Sequence, residues 1–427
     1  MRTRTPSRRG PLPLAALVAT LFAPLAAHAT NGYFSHGYGT KALGQAGVGI
    51  ADSEDALAAA TNPAGTLAAT DRVDAGITLF APRRGASITG NAFGADASYD
   101  GDGKKYFLVP ELGVTARLSD TLAAGIALYG NGGMNTDYHV NPYSRYGATG
   151  HAGVNLEQLF VTPSIAWAPA SGQRIGLGVN LAYQRFSAQG LGLFANFSSD
   201  PAHVTDEGDD SSTGAGVRAG WQGDLGAGFS AGVTWASRIH GRFDKYRGLF
   251  ADGGRFDIPE NFGLGVRYAP TADWSVGADV QRILYSQVAA VGDSIAPLLQ
   301  GTPLGAAGGP GFGWRDVTAW KLAASFRASP ALVLRGGFSY ARQPVPADQT
   351  FFNILAPGVV QDHVTVGATW TFAGGSELSG YAARGWGPAV HGHGSIPPGT
   401  SEGGFGGGEA NVHLTETLLG VAWAWKF

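Results

Sequence analysis

From Asp71 to the C-terminus the chain repeats one pattern: segments in which every second side chain is large and apolar. Between Arg174 and Gln184, Ile175, Leu177, Val179, Leu181 and Tyr183 alternate with Gly176, Gly178, Asn180, Ala182 and Gln184. Phe262–Tyr268 and Val364–Phe372 do the same, as do Phe229–Ala236 and Leu332–Tyr340. Period two is the signature of a β-strand with two unlike faces. In a soluble sandwich the large face is the core, and the other face carries Lys and Glu. Here the second face is Gly, Ala, Ser and Thr, with an occasional Arg or Asp. That suits a barrel whose apolar side meets lipid and whose inner side is crowded. The longer of these segments reach the about 9–11 residues that a membrane strand needs.

The connections alternate too. Short turns fall at 118–122, 169–173, 224–227, 270–273, 328–330 and 373–376. Between them lie long stretches rich in Gly, Asp and Pro: 81–106, 130–154, 187–213, 240–259, 286–316, 343–363 and 387–412. Short turns on one side and long loops on the other mark an outer-membrane barrel. The intervening segments number about fourteen, an even number as that class requires. The expected fold is therefore all-β: a transmembrane antiparallel barrel of about fourteen strands. The last segment ends in Trp423, Trp425 and Phe427, placed for an aromatic girdle. Such a terminal strand resembles the signal that barrel-assembly machinery reads, which makes that machinery an expected partner during biogenesis.

Composition excludes other classes. Gly is 67 of 427 residues and charged residues are 14%; ordinary usage is about 7% and 25%. A net charge of −3 argues against nucleic acid. The absence of Cys removes disulfides, thiol nucleophiles and Cys-based metal sites. No run of eighteen apolar residues follows the first thirty positions.

The first seventy residues do not alternate. Arg2, Arg4, Arg8 and Arg9 precede an apolar run, Leu12–Ala26, and a small-x-small site, Ala27-His28-Ala29. Residues 1–29 therefore read as a secretory signal peptide. Residues 30–70 form a separate segment, and 71–427 the barrel. Within 30–70, Asn62-Pro63-Ala64-Gly65 is a rigid turn by its residue chemistry.

The stretch Asn31 to Gly65 resembles the N-terminal hatch of FadL-type outer-membrane transporters for long-chain fatty acids and hydrocarbons. The resemblance rests on the run Lys41-Ala-Leu-Gly-Gln-Ala-Gly47, the acidic patch Asp52–Asp55, and Asn62-Pro63-Ala64-Gly65. Leu159–Pro169 and Leu332–Phe372 are similar to the same family and keep its order. The resemblance implies a fourteen-stranded barrel plugged by a small hatch. It also implies ligand capture between extracellular loops, a pocket near the first residues of the mature chain, movement of the N-terminus, and sideways exit where the third strand is kinked.

Candidate residues follow. Asn62, Pro63, Ala64 and Gly65 are the hatch element. Asn31, Gly32, Tyr33 and Phe34 lie near the ligand if the family pattern holds. Leu191, Leu193, Phe194 and Phe197 are apolar residues in a long loop, where such residues are scarce. They either pack on one another or form the capture groove, with Phe243, Leu249 and Phe250 as its second wall. Arg242, Lys245 and Arg247 are either carboxylate contacts or solvated, lipopolysaccharide-facing charge. Gly130, Gly132 and Gly133 follow the third strand, Leu122–Tyr129, and either break its ladder or begin an outer loop. Arg267 and Arg335 face inward, as internal ion pairs or lumen lining.

Catalytic and metal signals are weak. His391 and His393 lack further ligands, and Asp100–Gly103 is only part of a calcium loop. Asp206–Asp210 reads as a solvated loop tip. No Ser/His/acid constellation stands out, so the chain is read as no enzyme, with no cofactor and no metal. The expected function is passive uptake of long-chain fatty acids or other hydrophobic compounds across the outer membrane of a Gram-negative bacterium. The expected partners are a hydrophobic small molecule, outer-membrane lipid and lipopolysaccharide, and no nucleic acid. The alternatives are a general diffusion porin, which would lack a plug, and an uptake channel for aromatic hydrocarbons.

Overall fold

A computed structural model describes residues 31–69, 71–399 and 404–427. The signal-peptide reading of residues 1–29 lies outside them. The strands are β1 (Arg72–Thr89), β2 (Ala97–Asp100), β3 (Phe107–Ser119), β4 (Leu122–Tyr138), β5 (Ala152–Ala170), β6 (Gln173–Gln189), β7 (Asp210–Gly226) and β8 (Phe229–Ala236). They continue with β9 (Asn261–Tyr268), β10 (Trp274–Ile283), β11 (Val317–Ser329), β12 (Leu332–Ala341), β13 (Asp362–Thr371), β14 (Glu377–Trp386) and β15 (Glu409–Lys426). β2 only borders the outer end of β1. The other fourteen pair antiparallel in chain order, and β15 closes on β1 from Arg72↔Lys426 to Thr89↔Glu409. No sheet edge is left along that seam, as a membrane barrel requires.

The faces follow the sequence pattern. Leu177 is 51% exposed on the outer wall, and Ile175, Val179 and Leu181 are similar. Asn180 and Gln184, on the alternate face, are buried in the lumen. At the C-terminus Leu419, Val421, Trp425 and Phe427 point outward.

Strand ends correct the expected loops. Stretches 81–106, 130–154 and 387–412 were expected as loops. Instead β1 runs on to Thr89, β4 to Tyr138, and β15 begins at Glu409. Beyond the lipid both faces carry mixed side chains, so the alternation fades while backbone pairing continues. Gly130, Gly132 and Gly133 accordingly lie inside β4 and do not begin a loop.

They mark an irregularity nonetheless. The β4–β5 register shifts between Gly130 and Gly132, leaving Asn131 as the extra residue of a bulge. β3 pairs with β4 only from Glu111↔Tyr129 to Ser119↔Leu122. Past Tyr129, β4 stays on β5 up to Tyr138 while β3 stays on β1. The wall therefore opens between β3 and β4, and the opening is bounded at its outer end by the Asp102↔Asp137 bridge.

Residues 31–69 lie inside the barrel as short turns: Thr40–Leu43, Ala58–Thr61 and Pro63–Leu67. The small inner face explains how they fit. A Cβ on Gly176 would land on the Pro63–Ala64 peptide, and one on Gly220 would land on the Asn62 amide. One on Gly232 would strike the Ile50 carbonyl. Glycine at these wall positions lets two backbones meet directly.

Candidate functional site

The turn Asn62–Gly65 is built from its own chemistry. Asn62 caps the short helix Pro63–Leu67, its Oδ1 accepting from the Ala64 N–H at 3.1 Å, and Pro63 takes the first helical position. The same side chain then reaches the wall. Its Nδ2 donates to the carbonyls of Ile50 (2.8 Å), Trp221 (3.0 Å) and Val233 (3.2 Å). Trp221 and Val233 are cross-strand partners on β7 and β8. Asn62, which is fully buried, both shapes the turn and ties it to the barrel.

Charge fastens the rest. Arg267, which faces inward, pairs with Asp52 at 2.6 Å, and Arg335 pairs with Glu54. Lys41 reaches Glu377 at 2.7 Å. The N–H groups of Gly49 and Ile50 donate to Asp279. Burial pushes Glu54 up, but the Arg335 guanidinium beside it and Lys41 outweigh burial and hold its carboxyl at about 2. Burial and the nearby Asp74 push Asp55 up to about 6.

The first described residues sit at the wall opening. Phe34 bridges Gly132; Ser35 N–H donates to the Asn131 carbonyl at 3.0 Å, and Gly133 N–H donates to the Tyr33 carbonyl at 2.9 Å. β5 occupies one edge of β4 here, so Phe34 takes the edge that β3 leaves. Unpaired backbone groups at that depth are costly, and this short pairing satisfies two of them. Tyr285 secures the same tip: its hydroxyl accepts from Tyr33 and Phe34 N–H and donates to the Asn31 carbonyl. Gly32, at φ +76°, lies against the Tyr285 ring.

On the long-loop side four loops meet over an apolar cavity. Leu191 and Phe194 from the β6–β7 loop line it, with Leu249 and Phe250 from the β8–β9 loop. Leu304 and Phe312 come from the β10–β11 loop, and Phe352 and Leu355 from the β12–β13 loop. Phe186 on β6 and Val154 on β5 complete the wall. No charged side chain lines it.

The structure thus brings together four of the seven groove residues named from sequence. Phe243 sits one layer behind, its ring 5.4 Å from Phe186 and 6.2 Å from Phe250. Leu193 and Phe197 are partly buried and pack from outside, Phe197 against Phe405. Asn31 to Phe34 do not line the cavity. Tyr33 is linked to it through Phe256, which packs on Phe250 at 4.9 Å. Sequence reasoning missed Phe352 and Leu355. The run Phe351–Leu355 in a long loop carried the same signal that marked Leu191 to Phe197.

The three basic residues lie apart from the cavity and are exposed. Arg247 pairs with Asp200 at 2.6 Å, Lys245 donates to the Glu207 and Asp209 carbonyls, and Arg242 to the Asp252 carbonyl. Asp206–Asp210, expected as a solvated loop tip, is largely exposed and also ties loops together. Asp206 accepts from Gly190 N–H and Asp210 from Lys245 N–H. Asp102, in the partial calcium motif, accepts from Arg84 N–H. Among the described residues no group of three His, Asp or Glu side chains is placed to hold a metal.

The sequence profile described as Outer membrane protein transport protein (OMPP1/FadL/TodX) matches residues 16–383. No curated protein sequence matches the chain. Among solved structures, a Pseudomonas aeruginosa FadL homologue is 16% identical, with a TM-score of 0.69 over 93% of this chain and 100% of its own. The P. putida toluene transporter TodX is 16% identical, with a TM-score of 0.66 over 92% and 99%. The Ralstonia pickettii toluene transporter TbuX is also 16% identical, with a TM-score of 0.61 over 92% and 99%. At that identity these likenesses speak for the fold, and the profile match over most of the chain speaks for the family: the protein belongs to the OMPP1/FadL/TodX family of outer-membrane transport proteins, which carry hydrophobic compounds.

Proposed function

We propose that this protein takes up hydrophobic compounds passively. The ligand enters the loop-lined cavity, the segment 30–70 acts as a hatch, and the ligand leaves sideways between β3 and β4. The observation that carries this reading is the placement of Tyr33–Ser35 on the edge of β4 that β3 leaves, beside the bulge at Asn131. Displacing that short pairing would uncover a lateral route that spares the ligand periplasmic water. Burial in the cavity favours an apolar ligand by about 0.8 kcal/mol per CH2. The segment that fills the lumen counts against a general diffusion porin.

For the ligand, an aromatic hydrocarbon is favoured over a long-chain fatty acid. The cavity is lined by aromatic rings and no charge, and Arg242, Lys245 and Arg247 lie away from it. Two of the similar structures are toluene transporters. The test is uptake of labelled toluene and of a labelled long-chain fatty acid by cells lacking their own importer. Toluene uptake is expected to fall in Phe194→Asp with heat-modifiability of the barrel retained. Unchanged uptake would remove the cavity from the route.

A further inference from the structure

A second, smaller cavity lies next to the first. Leu355 lines the capture cavity, and the next residues, Ala356–Gly358, line this one. Its far side is Gly133–Asn135, the β4 segment at the wall opening. It thus lies between the capture cavity and the wall opening. Phe80, Pro82, Met134 and Leu414 make most of its surface apolar.

Two ionisable side chains also line it, and each has atoms without a hydrogen-bond partner. Glu416 is 0% exposed, and neither carboxylate oxygen has a hydrogen-bond partner. Its nearest cation-forming group is His363 Nε2, at 3.9 Å. Arg84 is 3% exposed. Its Nη2 donates to the Lys104 carbonyl and to Asn135 Oδ1, but Nε and Nη1 have no hydrogen-bond partner. Nη1 lies 3.7 Å from Asp102 Oδ1, beyond hydrogen-bond range. Buried polar groups are nearly always partnered, so spare donors and acceptors on one cavity call for a ligand that supplies both. Arg84 and Glu416 sit diagonally on the β1–β15 seam, where Pro82 pairs with Glu416 and Arg84 with Leu414. Diagonal neighbours lie about 7–8 Å apart at Cα, which long side chains span.

We propose that Arg84 and Glu416 form a subsite for the hydroxyl head of an uncharged amphiphile, an alcohol or phenol with an apolar body. The hydroxyl oxygen accepts from Arg84, and its proton is donated to Glu416. A carboxylate fits less well. Asp102 offsets the charge of Arg84, and Glu416 adds no positive charge whichever form it takes. This proposal rests on the importer reading and adds a preference within it.

The test compares uptake of labelled dodecanol, dodecane and dodecanoate by cells whose only importer is this chain. Dodecanol is expected to enter about tenfold faster than dodecane, the effect of one to two hydrogen bonds. Arg84→Met and Glu416→Leu should each bring that ratio close to one, while Glu416→Gln, which keeps an acceptor, preserves part of it. Heat-modifiability reports barrel assembly. If Arg84→Met does not assemble, Arg84→Lys takes its place, and it should keep part of the ratio. Equal entry of all three probes, fastest entry of dodecanoate, or a ratio unmoved by the substitutions overturns the subsite and leaves the importer standing. Entry of none of the three, with no toluene uptake either, above the level of cells lacking the chain overturns both.

Discussion

The lumen has two halves that hold their contents by opposite means. Toward the short turns, the wall presents Gly176, Gly220 and Gly232, and the enclosed segment meets it backbone to backbone. Directional bonds fasten it, from Asn62 to two strands and from Arg267 and Arg335 to Asp52 and Glu54. Toward the long loops, the contents are rings and aliphatic chains, and the lining of the main cavity offers no charge. Apolar contact is non-directional, so a ligand there can shift without breaking a specific bond. Hydrogen bonds and ion pairs in confined space fix one geometry. The difference teaches where motion is cheap: in the loop-lined cavity, not at the glycine-lined base.

Breaking the comparison outright comes first. Removing residues 31–69 should turn a nearly closed barrel into a freely conducting one in planar bilayers; unaltered conductance would mean that the base is no seal. Next, Leu177→Lys and its neighbour Gly176→Ala probe opposite faces of one strand. The lysine should cost about 2–4 kcal/mol near the lipid midplane in unfolding from vesicles, whereas the alanine should instead disturb the Pro63–Ala64 contact. A smaller effect is expected from Gly220→Leu, which overpacks the base by about 1–3 kcal/mol and should raise conductance. Phe250→Leu, in the soft half, should leave conductance alone and slow ligand uptake. Equal conductance changes in both would erase the distinction.

The smallest effect is one of pH. Asp55 has a raised folded-state value of about 6, so its ionisation penalises the docked segment as pH rises from about 4 to 6. Glu54, held at about 2, supports docking above about 4.3 and loses that support as pH falls toward 2. Leakage should therefore be least near pH 4–5. Asp55→Asn should lessen the rise on the neutral side and leave the acid side alone, which conductance recorded across that range would reveal.

How much of this was legible in the sequence depends on the kind of contact. The barrel, its strand count and its outward faces were legible because lipid imposes alternation on every strand. The long extensions of β1, β4 and β15 were not, because beyond the lipid the same backbone pairing carries no face signal. Arg335 and Arg267 could be placed inward from their neighbours, but their partners Glu54 and Asp52 lie over two hundred positions away. Leu191 and Phe194 were visible as apolar residues out of place. Phe352 stood in an equally apolar run and was passed over. Gly130 to Gly133 could be read as a loop start or a broken ladder, and only the pairing of β3 and β5 decides for the bulge.

One consequence concerns assembly order. Asn62 bonds to β7 and β8, Asp279 on β10 holds Gly49 and Ile50, Thr365 on β13 accepts from Ala46 N–H, and Lys41 reaches β14. The segment touches strands around most of the circumference, yet it precedes all of them in the chain. Docking into a finished ring would have to make all those contacts at once, whereas a wall that curls around the segment before β15 zips onto β1 makes them strand by strand. The glycines at its surface then gauge the circumference: a strand slipped by one residue would turn a large side chain toward the Asn62 turn, and the cylinder would not close.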